Sequence, residues 1–194
     1  MDAELTALRE ATARRDWGEL QDSLTRVLLA LDYYVGLEVA LTRAHEYLPI
    51  FEAAHPQAVW ARRLLVGLVA YGVAPAELPL EATQPHNSPG AANFIAAVFD
   101  LLRSAERKTP LENRVRFLAN ALANVILADL AVNWYGAHLD EWARQQAHGD
   151  EIDPASGLSV RHTIYARFWL DDATAQRDTA AWLALADTLA QKLR

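Results

Sequence analysis

A chain of 194 residues, 52% apolar and 22% charged, is long enough for one domain that buries roughly 70% of its unfolded surface, and its composition is not that of a disordered segment. The net charge of −7 and a pI of 5.3 argue against a general nucleic-acid binder. The absence of cysteine excludes disulfides, thiolate metal sites, iron–sulfur clusters and cysteine nucleophiles.

Ala and Leu dominate, with Arg next, and apolar residues recur at helical spacing almost everywhere, so the expected fold class is all-α. The pattern predicts a bundle of about six to seven helices with two long central antiparallel helices. A short helix is expected over residues 2–14. Asp16 reads as an N-cap, and Trp17 opens a long helix with the stripe Leu24, Val27, Leu28, Leu31, Tyr34, Val35 and Leu41, which Pro49 should kink or end. A further helix starts near Pro56, and its half from Leu64 to Ala70 is apolar all round, as a core helix would be; Gly72 closes it.

Pro75, Pro79, Pro85, Pro89 and Gly90 form the one zone of strong punctuation. The chain therefore reads as a single helical domain, 1–194, with possible pseudo-halves 1–74 and 90–194 joined by the Pro-rich connection 75–89. A helix over 91–107 follows. Thr109-Pro110 with Glu112 starts the longest helix, expected to reach about residue 147. Asp153-Pro154 breaks the chain, Ser156 or Ser159 caps a helix ending near Leu170, and a last helix runs from about Thr174 with Trp182, Leu185 and Leu189 on one face.

The segment Arg15-Asp16-Trp17-Gly18-Glu19-Leu20, followed by an amphipathic helix, resembles the opening of a tetratricopeptide unit. It occurs once, and the helices after it are too long for such an array. The Ala-His pairs at 44–45 and 54–55 are echoed at 137–138 and 147–148, as an old duplication would leave them. Residues 1–16 are charged throughout, which a signal peptide is not. Two apolar runs, Leu24 to Leu41 and Phe117 to Gly136, carry too many polar groups for membrane spans. The expected setting is the cytoplasm, without membrane or nucleic-acid partners.

Glu38, Asp129 and Arg161 each stand where the helical repeat calls for an apolar residue, on three different helices. Buried charge is costly unless paired, so these three are expected to meet. With His45, Asn133 and His162 beside them they define a candidate internal polar pocket. Such a set could hold a divalent metal, grip an anionic ligand through Arg161, or form a buried ion pair that orients the helices. No complete metal motif supports the first: Glu52-Ala-Ala-His55 has the form used by ferritin-like di-iron bundles, but the second copy, His138-Leu-Asp-Glu141, is reversed. The histidines near helix ends read more simply as C-terminal caps.

Neither a phosphate loop nor a nucleophile elbow occurs, and Ser88 with His86 makes no triad. The loop 84–90 reads as a connection and lid. The stripe Asn113, Arg116, Asn120, Asn124 becomes apolar from Leu127 to Trp134, which predicts burial in the core or in an oligomer interface. The expected function is a non-catalytic ligand-binding or protein-interaction module working as a homo-oligomer, with cofactors unspecified. The alternative is a metal- or carboxylate-dependent enzyme with its site in the bundle core.

Overall fold

The structure is a computed structural model that describes residues 2–71, 79–83 and 86–193. Among these residues it is all-helical: α1 (Asp2–Arg14), α2 (Trp17–Ala30), α3 (Tyr33–Ala54), α4 (Trp60–Tyr71), α5 (Ala91–Ser104), α6 (Leu111–Ala137), α7 (Leu139–His148), α8 (Val160–Leu170) and α9 (Asp172–Lys192). A short 3₁₀ turn covers Leu80–Thr83, and the only bridge of β type among the described residues is an isolated one between Ile152 and Ser159. The expected closure at Gly72 and the prolines at 75 and 85 lie outside the described residues.

Nine helices among the described residues replace the expected six to seven because both long helices are divided. The first breaks at Leu31, which adopts an extended backbone, and Asp32 restarts it by accepting a hydrogen bond from the Tyr34 N–H. The second breaks at His138, whose φ of −132° and ψ of 59° leave the helical region. Pro49, by contrast, ends nothing: α3 continues to Ala54 with Pro49 on its exposed side, where water can replace the lost donor. Asp16, Ser159 and Asp171 cap α2, α8 and α9 through their side chains.

The longest helix, α6, is the hub. An ideal Cβ on Gly36 of α3 would touch Leu118, Tyr47 reaches the Ala128 carbonyl, and Ala54 and Gly136 flank one crevice. These contacts advance together along both helices, so α3 and α6 run parallel, not antiparallel as the sequence pattern suggested. Against α6 lies α5, antiparallel, with Gly90 near Ala128 at one end and Ser104 accepting a hydrogen bond from Arg114 at the other.

A large core joins α1–α6 and α9, and includes Leu8, Leu20, Leu28, Leu48, Phe94, Leu101, Leu118 and Trp182. A smaller cluster of Leu130, Trp134, Tyr135, Val160, Ile164 and Phe168 ties α6 to α8, with Ile126 packed against both clusters. Only one face of α4 is buried, through Leu64, Leu65 and Leu68; Val66 and Val69 face outward, so the expected all-round burial of this stretch does not occur. By length and composition α6 could cross a membrane, but half of its most apolar window is buried within the fold.

Candidate functional site

The six residues singled out by the sequence do not converge. Glu38 is exposed and pairs with Lys192 of α9 at 2.8 Å. Asp129 is exposed on α6, and Asn133 turns its amide back to the Asp129 carbonyl oxygen at 2.8 Å. Arg161 is exposed and pairs with Asp150 at 3.0 Å. The expected pairing of Arg161 with Asp129 or Glu38 is therefore not made, and no interior pocket among the described residues unites them. Two smaller groupings survive: Glu38 and His45 line one groove between α3 and α4, and Arg161 and His162 line one cavity.

The reason lies in what marks a buried face. On α3 the buried positions include Gly36, Ala40 and Ala44, small residues that let helices approach closely. The large apolar residues that bracketed Glu38 are partly rim: Tyr34 is 69% exposed. A stripe drawn through the bulkiest residues was therefore rotated toward solvent.

The most deeply buried acid among the described residues is Asp178, 1% exposed on α9. Its Oδ2 lies 3.8 Å from Nε of Arg15, and burial pushes its carboxyl above the usual range while Arg15 opposes that shift. The indole N–H of Trp182 leans toward it without completing a hydrogen bond. Arg15 stands at a positive φ of 53°, just past the end of α1, and its guanidinium also donates to the Trp169 carbonyl oxygen at 3.2 Å. Sequence reasoning missed Asp178, although extending the Trp182 stripe back by one turn reaches it. Asp100 on α5 is similar: buried, raised by burial, and met by Arg103 and Asn124.

Three of the hollows among the described residues are lined by residues singled out from the sequence. One of about 280 Å3 lies between α3, α6 and α9 beside Tyr47 and Asp129, and burial, reinforced by the Asp129 charge, raises the Tyr47 hydroxyl strongly. The groove of about 760 Å3 beside Glu38 and His45 is walled by α3 and α4 alone. The third, of about 620 Å3, draws on four segments: residues 86–93, α6, α7 and α8.

This third cavity has the composition of a ligand site, an apolar wall with a few converging polar groups. Tyr135, Trp142, Tyr165 and Phe168 supply aromatic surface, with Tyr165 and Phe168 stacked at 6.2 Å and Tyr135 edge-on to Trp142 at 5.0 Å. Asn87, Asn93, Gln146, Arg161 and His162 supply polar groups. The Tyr135 hydroxyl is hydrogen-bonded to Gln145, and burial, reinforced by the Glu141 charge, raises its pKa. His162 is held by Ser159 at 2.7 Å.

The segment that closes one side is anchored from behind. His55, the C-cap of α3, meets the Ser88 hydroxyl with Nε2 at 2.8 Å, and burial, aided by nearby His86, lowers its pKa. His86 packs its ring against His55, Phe51 and Trp60. Ser88 thus pairs with a histidine 33 positions away rather than with its neighbour in sequence. His138 keeps the expected role at a helix end, its Nδ1 meeting the Trp134 carbonyl oxygen.

Among the described residues no group of three or more His, Asp or Glu side chains is placed to hold a metal ion. Glu52 of the Glu-x-x-His55 motif is instead bound by Arg62. The chain matches no protein-family model, no curated protein and no solved structure.

Proposed function

We propose that this protein binds a small organic molecule in the cavity between residues 86–93, α6, α7 and α8. The observation that carries the reading is the meeting there of four aromatic side chains with amide, guanidinium and imidazole groups around about 620 Å3, a size typical of small-molecule sites. Support also comes from construction: Leu130, Trp134 and Ile164 hold α6 and α8 together beneath it, while the His55–Ser88 contact steadies its rim. Rigid elements bearing a preformed hollow favour binding, because little order has to be created when the ligand arrives.

The test is a ligand-observed NMR screen of the full chain against a library of small ring compounds, repeated with Tyr165→Ala. Hits that compete with one another and vanish in the variant support the reading. An empty screen, or hits indifferent to Tyr165→Ala, overturns it.

The protein-interaction alternative, as a homo-oligomer, draws on exposed apolar side chains: Leu139, Leu158 and Leu170, the last 81% exposed. Native mass spectrometry of the untagged protein distinguishes it, since a dimer or larger species with no small-molecule adduct favours that assembly.

A further inference from the structure

Resting on that reading of the cavity, we infer that its ligand is a ring-bearing oxyanion, a carboxylate or phosphate ester, whose charged group sits against Arg161 and His162 while its ring lies on the Tyr165 and Phe168 side. The chain as a whole carries 25 acidic residues against 18 basic ones, yet the cavity wall contains Arg161, two histidines and no Asp or Glu. An acidic protein that keeps carboxylates out of one polar hollow favours a negative guest there.

Arg161 has the geometry for it. Its guanidinium is exposed at the rim and held over the α7 terminus, close to Gly149 and paired with Asp150. Its charge also reaches the Tyr135 hydroxyl, where it opposes the larger effect of Glu141, an α7 carboxylate paired with Arg167 and not part of the cavity lining. Asp150 is 93% exposed, so the carboxylate that now occupies Arg161 is well solvated and readily exchanged for a ligand oxyanion. A planar guanidinium can take such a group through two parallel hydrogen bonds.

The 86–93 wall adds to the same field. Ala92 and Asn93, in the first turn of α5, line the cavity, and Gly90 at the N-cap has no side chain to cover that turn. The aromatic side chains account for the ring: flat faces at Tyr165 and Phe168 stack with a planar guest.

The test compares phenyl phosphate and benzoate with neutral benzyl alcohol on the full chain, read by amide shifts at Asn93, Gln145 and Gln146. Expected is at least tenfold tighter binding of one of the two anions than of benzyl alcohol, the tighter one naming the anion class. Arg161→Gln should remove that tenfold preference and change benzyl alcohol binding less than twofold. Asp150→Asn should tighten the anion several-fold by releasing Arg161. Benzyl alcohol bound at these amides as tightly as either anion, or an anion preference that survives Arg161→Gln, overturns the inference and leaves the cavity reading standing. No shift with any probe, when the wider library is also silent, overturns both.

Discussion

Gly90 packs so closely on α6 that a Cβ added to it would lie 2.4 Å from the Ala128 carbonyl oxygen and 2.6 Å from the Tyr47 hydroxyl. Its φ of 75° is one that side chains bearing a Cβ rarely adopt. This close approach seats the start of α5 on α6 and fixes where the 86–93 wall of the cavity stands.

Gly90→Ala should therefore be costly. The left-handed backbone alone costs roughly 1–2 kcal/mol for an L residue, and the clash with backbone oxygen adds to it. We expect a loss of at least about 2 kcal/mol in urea unfolding, with amide shifts spreading through 86–93. A change within experimental error would show that the α5–α6 contact is looser than described.

Asp178→Asn should change the pH dependence of stability in one direction. The folded carboxyl titrates above its unfolded value because it is buried. Below the unfolded value both states hold the proton and the shift costs nothing. As pH rises through the folded value, the charged form must be kept inside the protein and stability is lost. Asparagine cannot ionise, so the difference in Tm, variant minus parent, should move in favour of the variant between pH 4 and pH 7. A difference that moves the other way would mean that Arg15 outweighs burial.

Glu38→Ala, Asp129→Ala and Arg161→Ala should each change stability by less than about 0.5 kcal/mol, since exposed ion pairs contribute little. Chemical denaturation checks this. A loss of several kcal/mol at any of them would restore the interior pocket expected from the sequence.

Trp182→Ala should cost roughly 3–5 kcal/mol, as a large side chain with no exposure leaves a cavity that its neighbours cannot fill. Trp17 packs edge-on against it at 5.6 Å and against Trp169 at 5.2 Å, so tryptophan fluorescence should change in the same variant. Ser88→Ala is milder, about 0.5–1.5 kcal/mol for one hydrogen bond. The measurement is the melting curve together with exchange of the 86–93 amides.

By itself the sequence determined what rests on neighbours along the chain. Helical periodicity set the all-α class, Asp16 was legible as a cap and Ser159 as one of two candidates with Ser156, because an N-cap side chain bonds an N–H only two or three residues away. The break at Asp32 was equally local, an acidic cap before Tyr33-Tyr34, although an unbroken apolar stripe concealed it. Tertiary packing decided the rest. It chose Gly36, Ala40 and Ala44 over bulkier neighbours as the inner face of α3, because close helix contact rewards small residues. It buried Asp178 while leaving Glu38 in water, because Arg15, from the turn after α1, arrives beside the one and an exposed Lys192 beside the other. It also assembled the cavity from segments 86–93, α6, α7 and α8, whose residues share no spacing that a linear pattern can display.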